Sequence, residues 1–231
     1  MGRAMPSNSM FEVKICGIKD LGAMNAALTA GADLVGLVFF PPSPRAVTPL
    51  GGADLAAAAR GRAMVTALVV DADDTLLRDI MARVNPDLLQ LHGAETPERV
   101  KAIRECFGKP VMKAIAVSTA ADLKQLAAYE AVADRILYDA RPPKGADRPG
   151  GHGRPFDWNL LSAVSHKKPV MLSGGLNPEN VADAIRIVRP DAVDVSSGVE
   201  DTPGVKNAAK IKAFVQNARA AAEKYLREKV S

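Results

Sequence analysis

Cys16 and Cys106 are the only two thiols in a chain of 231 residues. They form no Cys-x-x-Cys pair and lack the spacing of a disulfide framework. That excludes a metal site built from thiolates and reads as a reducing compartment, the cytoplasm being the natural one. Aromatic residues are few, with a single Trp, so Ala, Val, Leu and Ile must carry the core. No apolar run approaches the roughly 18 residues of a membrane span, and the first ten residues lack the apolar stretch of a signal peptide. Those ten, Met1 to Met10, read as a flexible N-terminal extension ahead of one catalytic domain over 11–231. Charge is nearly balanced at a formal +4, and Lys and Arg scatter over the expected helices instead of forming a stripe. Neither nucleic acid nor a membrane is therefore expected as a partner.

What is present is an alternation of short apolar runs with longer amphipathic stretches. The runs are Val13 to Cys16, Leu34 to Phe40, Val65 to Val70, Leu88 to Leu91, Val111 to Ile115, Arg135 to Tyr138, Val170 to Leu172 and Ala192 to Val195. Their brevity and β-branched content suit parallel strands buried on both faces. Thr48-Pro49, Thr96-Pro97 and Asn177-Pro178 each place a capping side chain before a proline at the first helical position. The last helix is expected from about Val205 to Tyr225. Eight strand-then-helix units give either a closed barrel or an open doubly wound sheet. No Gly-x-Gly-x-x-Gly follows the first strand, and small residues gather after strands seven and eight, where barrels commonly hold phosphate. The fold class expected is therefore α/β, a single-domain (β/α)8 TIM barrel with a parallel, closed, eight-stranded sheet.

The phosphate reading rests on Ser173-Gly174-Gly175 and Ser196-Ser197-Gly198. Gly174, Gly175, Ser197 and Gly198 can bring backbone N–H groups close to an anion. Either cluster alone is also the composition of a plain turn; in neighbouring loops of one barrel they read as a shared site. Gly151, in Gly150-Gly151-His152-Gly153, could close over the same phosphate, or could belong to a loop without contacts.

Two strand ends carry groups able to move protons. Cys16 closes strand one and Asp139 closes strand six, across the barrel mouth from each other. A thiol acts as a base if its pKa is lowered toward neutrality, and an aspartic acid donates a proton if its surroundings raise its own. The alternatives are a buried apolar cysteine and a capping carboxylate. Arg45 follows a proline-stiffened loop, Phe39-Phe40-Pro41-Pro42-Ser43-Pro44, that could aim its guanidinium at a carboxylate or leave it in solvent. His92 faces the mouth as a pocket-lining residue. Lys14 and Asp194 fall on the inward face of strands one and eight, and are expected to pair inside the barrel because an unpaired inward lysine is costly.

These residues resemble phosphoribosylanthranilate isomerases from Val13 to about Val215. The resemblance is carried by Val-Lys-Ile-Cys-Gly-Ile at 13–18, Gly-Leu-Val-Phe-Phe-Pro-Pro-Ser-Pro-Arg at 36–45, Leu-Gln-Leu-His-Gly at 89–93, Leu-Ser-Gly-Gly-Leu-Asn-Pro-Glu-Asn-Val at 172–181 and Asp-Val-Ser-Ser-Gly-Val-Glu at 194–200. It implies an Amadori rearrangement of N-(5-phosphoribosyl)anthranilate with no cofactor and no metal, by a monomer or homodimer. It further implies Asp139 as general acid, Cys16 as general base and Arg45 as the binder of the anthranilate carboxylate. Lys19 and His152 depart from the family pattern. Two rival readings remain: the related histidine-pathway sugar isomerase, whose family has an aspartate where this chain has Cys16, and a phosphate-binding barrel without catalysis.

Overall fold

A computed structural model describes residues 11–141, 156–162 and 164–230; the expected N-terminal extension, Met1 to Met10, lies outside them. The eight strands are β1 (Glu12–Cys16), β2 (Leu34–Val38), β3 (Met64–Val69), β4 (Leu88–Leu91), β5 (Val111–Val117), β6 (Arg135–Ala140), β7 (Val170–Leu172) and β8 (Ala192–Val195). Each pairs in parallel with the next, and β8 with β1, so the sheet closes into a barrel. A helix follows each strand: α1 (Leu21–Ala30), α2 (Pro49–Ala59), α3 (Asp74–Arg83), α4 (Pro97–Phe107), α5 (Leu126–Glu130), α6 (Asn159–Ser162), α7 (Val181–Val188) and α8 (Ala208–Val230). Almost every strand residue is buried, because one face meets the helices and the other fills the barrel. No helix among the described residues is long and apolar enough to cross a membrane.

Local chemistry explains most boundaries. Thr48 and Thr96 cap as expected, accepting from Gly51 N and Arg99 N ahead of Pro49 and Pro97. The third expected cap is displaced. Asn177 Oδ1 accepts from Glu179 N and Asn180 N, while Asn180 Oδ1 accepts from Asn177 N, so this pair builds a turn and α7 begins only at Val181. The last helix also begins late. Pro203-Gly204, with Gly204 at φ 82°, turns the chain so that β9 (Glu200–Thr202) and β10 (Val205–Lys206) pair as a small hairpin. Asn207 then caps α8 by accepting from Lys210 N.

At the end of the barrel away from the glycine-rich loops, one device recurs. Asp33, Asp87, Asp134 and Asp191 precede the even strands, and their carboxylates accept from the N–H groups of Val13, Val65, Val111 and Val170, at the start of the odd strands, at 2.7–2.9 Å. Each aspartate's own N–H donates back to that same valine's carbonyl. Four reciprocal clamps thus join β1 to β2, β3 to β4, β5 to β6 and β7 to β8. They satisfy strand-end donors that would otherwise be buried without acceptors.

Inside, an apolar layer of Leu34, Leu88, Met112, Leu137 and Met171 fills the lower barrel. Above it the expected buried pair is present. Register places Lys14 beside Asp194, and Nζ donates to Oδ1 at 3.0 Å with both side chains out of solvent.

Replacing Asp87 with Ala leaves the fully buried Val65 N–H without its acceptor. The expected loss is about 1–3 kcal/mol of stability, read as a lower urea midpoint at unchanged m-value. Asp87→Asn keeps an acceptor oxygen and should recover most of it; equal losses in both variants would assign the effect to the carboxylate charge and not to the hydrogen bond with Val65 N.

Candidate active site

Cys16 stands on top of the Lys14–Asp194 pair, in a mouth-side layer with Val38 and Leu68. Lys14 below it has no exposure, whereas Cys16 keeps 4 %. The neighbouring strand makes room for the sulfur: a Cβ at Gly36 would lie 2.8 Å from Sγ and 3.1 Å from Lys14 Nζ. The thiol is not lowered toward neutrality. Burial pushes its pKa up, the Lys14 ammonium opposes that, Asp194 adds to it and Lys206 opposes it. The sequence could not supply this sign, because the burial comes from β2 and β3 and the second ammonium from β10. Burial alone would depress Lys14, but the Asp194 carboxylate and the Cys16 sulfur hold it above its ordinary value.

Asp139 lies one residue before the end of β6, inward and nearly buried. Its Oδ1 accepts from Ala140 N at 2.9 Å, and its Oδ2 lies 3.1 Å from His92 Nε2. His92 follows β4, and its Nδ1 lies 2.9 Å from Gln90 Nε2. The histidine expected only to line the pocket therefore touches the candidate acid directly. Behind it, Glu95 holds the loop after β4, accepting from Gly93 N and Asp71 N and from Lys113 Nζ at 2.9 Å.

Arg45 is neither solvated nor free. It is 4 % exposed, and its Nε and Nη2 donate to Glu200 Oε1 and Oε2, each at 2.8 Å. This corrects the alternative of an arginine left in solvent, and it occupies one of the two paired edges of the guanidinium. The β9–β10 hairpin, unforeseen in the sequence, brings Glu200 to that edge, leaving Nη1 without a hydrogen bond among the described residues. Lys206 also reaches Glu200, at 2.7 Å, and donates to Ser196 O and Oγ. Glu200 is set by burial, which would raise it, against the two cations, which prevail and lower its pKa. Lys206 is lowered, chiefly by burial with Arg45 adding to it, although Glu200 opposes. The two directions fit one carboxylate shared by two cations. Gly17, at φ 76°, lets Arg45 lie against β1: a Cβ there would meet Arg45 Cδ at 2.5 Å and Ser196 Oγ at 3.0 Å.

The two glycine clusters do converge. A Cβ at Gly198 would sit 1.9 Å from Leu176 O, so the loop after β8 rests directly on the loop after β7. Gly174 and Gly175 adopt φ 85° and 69°, a region that favours glycine. Neither of their N–H groups has a hydrogen-bond partner among the described residues. A Cβ at Gly174 would meet Ala140 N at 2.4 Å and Asp139 Oδ1 at 3.0 Å, so this loop also packs on the candidate acid. Ser197 opens a single helical turn, Ser197–Val199, facing the same region. Gly151 and His152 lie outside the described residues.

Sequence reading missed Glu200 and Lys206 as parts of the site. Glu200 lay within a quoted motif, but nothing local marks it as the partner of an arginine 155 positions away. Pro203-Gly204 was the available signal for the turn that delivers Lys206.

The family model described as N-(5'-phosphoribosyl)anthranilate isomerase matches residues 13–217. The N-(5'-phosphoribosyl)anthranilate isomerase of Rhodopseudomonas palustris (strain HaA2) is 57 % identical over 215 residues, covering 91 % of this chain and 97 % of that protein. The crystal structure of phosphoribosyl anthranilate isomerase from Thermotoga maritima superimposes with a TM-score of 0.83 at 38 % identity, covering 91 % of this chain and all of that one. A structure of such an isomerase in complex with reduced 1-(o-carboxyphenylamino)-1-deoxyribulose 5-phosphate gives a TM-score of 0.80 at 36 % identity, with 91 % of this chain and 100 % of that one covered.

Because only the thiolate is nucleophilic, iodoacetamide at neutral pH should label the exposed Cys106 at least about ten times faster than Cys16, whose pKa is raised. The Cys16 rate should still be climbing above the ordinary thiol range, because its pKa is raised. Peptide mass spectrometry resolves the two sites, and equal rates at neutral pH would contradict the assignment.

Proposed function

The chain belongs to the phosphoribosylanthranilate isomerase family and catalyses the isomerisation of N-(5-phosphoribosyl)anthranilate to 1-(2-carboxyphenylamino)-1-deoxyribulose 5-phosphate in tryptophan biosynthesis; from that premise, we propose that Asp139 and Cys16 perform its two proton transfers. The observation that carries this reading is their placement. Both point inward at the mouth from β1 and β6, and the glycine loop after β7 packs against Asp139.

Asp139 protonates the furanose ring oxygen as the C1–O bond breaks, and the anilino nitrogen lone pair forms an iminium. That cation acidifies the C2–H bond, so a modest base suffices. Cys16 takes the proton as the thiolate, and the enolamine tautomerises to the ketone. Burial works against the thiolate, and the ammonium groups of Lys14 and Lys206 work for it. The iminium adds a third positive charge on the substrate side as the proton leaves. The N–H groups of Gly174 and Gly175, unpartnered among the described residues, grip the phosphate with Ser197 and Gly198 alongside, and anchor the substrate away from its reacting carbons. Arg45 offers Nη1 to the anthranilate carboxylate, with its other edge fixed by Glu200. With the second Nη2 hydrogen alongside it, that end-on edge can still hold a carboxylate by two bonds.

All of these groups come from one chain, so a monomer or a homodimer can act. The chemistry asks for no cofactor or metal. A small phosphorylated substrate is the partner, and the need for a reduced Cys16 supports a cytoplasmic setting. Against the histidine-pathway reading stands Cys16 itself, where that family has an aspartate.

With substrate generated from anthranilate and phosphoribosyl pyrophosphate by a coupling transferase, loss of adduct fluorescence reports turnover. Cys16→Ala and Asp139→Asn should each lower kcat by about 10²-fold or more. Arg45→Met should chiefly raise KM, and should also lower the melting temperature by removing one of the two cations on buried Glu200. Wild-type-like kcat in either of the first two variants would overturn the assignment of roles.

A further inference from the structure

Gln90 is wholly buried inside the barrel, and the chemistry above gives it nothing to do. Its amide Nε2 lies 2.9 Å from His92 Nδ1, and His92 Nε2 lies 3.1 Å from Asp139 Oδ2. Asp139 Oδ1 is taken by Ala140 N at 2.9 Å. Amide, imidazole and carboxyl therefore stand in series, and the Gln90 end decides which way the hydrogens point. An amide NH2 can only donate, so the Nδ1 facing it must be bare, and a neutral imidazole then carries its hydrogen on Nε2, aimed at Asp139. Gln90 Oε1 is buried with no hydrogen-bond partner among the described residues. As placed, one Nε2 hydrogen is directed at His92 Nδ1; turning the amide round would set the carbonyl there and require the hydrogen on Nδ1 instead.

We propose that Gln90 is a positioning residue for the isomerisation: it fixes His92 as the neutral Nε2–H tautomer, a donor to Asp139 with no free lone pair to take that residue's proton. The inference rests on the reading of Asp139 as general acid. Its consequence is directional. The hydrogen on Asp139 has no acceptor on the imidazole, so it goes to the sugar ring oxygen, which keeps the electron pair of the breaking C1–O bond. The carboxylate left behind meets two donors already in place, His92 Nε2–H and Ala140 N–H, and needs no rearrangement to be stabilised. An imidazolium at position 92 would do the opposite, holding Asp139 as a carboxylate before substrate arrives.

The test uses the full chain labelled with ¹⁵N-histidine. It contains three histidines, and His92→Asn identifies the signals of His92. At neutral pH the wild-type protein should show a protonated Nε2 and a bare Nδ1. Gln90→Glu sets an acceptor against Nδ1. It should convert His92 to the imidazolium and lower kcat by about 10- to 100-fold with KM within about threefold. Gln90→Met keeps the side-chain length without the amide. It should mix the tautomers with a smaller fall in kcat, and it stands in should the glutamate variant fail to fold. A wild-type His92 protonated on Nδ1 would overturn the proposal. So would variants in which kcat falls while the His92 signals stay unchanged, or an imidazolium that leaves kcat unaltered. Undiminished turnover in Asp139→Asn would instead remove the general acid and leave the tautomer result standing by itself.

Discussion

A lysine inside a closed barrel has no route to water, and the charge pair of Lys14 with Asp194 is what makes this interior possible. The two residues are neighbours only because β8 returns to β1, so the pair sits on the seam where first and last strands meet. Removing either partner would leave a buried charge alone, which is far more costly than replacing both with apolar groups. The pair also sets the electrostatics above it. Lys14 stabilises a sulfur anion on Cys16 while Asp194 opposes it, so the base and the barrel closure share one set of charges.

The mouth is divided into two electrostatic halves. Around Cys16 lie two cations, Lys14 and Lys206, tempered by Asp194, and Lys206 is tied through Glu200 to Arg45. Around Asp139 lie neutral donors, His92 and Ala140 N. A thiol needs positive surroundings to release its proton, and an acid needs donors waiting for the charge it acquires. The cations beside Cys16 offset part of what burial costs its thiolate. The halves join through β7 and β8, whose loops pack on each other and on Asp139.

Several glycines in this site act as absent side chains. Gly36 yields its space to the Cys16 sulfur, Gly17 to Arg45, Gly174 to the end of β6 and Gly198 to the Leu176 carbonyl. For Gly17 and Gly174 a positive φ adds a second reason. The anion-binding loops thus owe their glycines as much to packing between loops as to room for a phosphate.

The eight-strand barrel and the Thr48 and Thr96 caps were legible in the sequence, because each depends on a period or on neighbours a few residues apart; the inward pairing of Lys14 with Asp194, 180 positions apart, followed from strand alternation once closure makes β1 and β8 neighbours. Cys16 and Asp139 could be singled out as strand-end groups for the same reason. The hairpin after β8 and the occupied edge of Arg45 were not legible, nor was the contact of His92 with Asp139. Those contacts join positions 155 and 47 residues apart, and no local pattern records which distant side chain arrives. The sign of the Cys16 shift belongs with them. A thiol's acidity is set by how much water its neighbours exclude and by which charges they bring, and both are fixed only when β2, β3, β8 and β10 close around it.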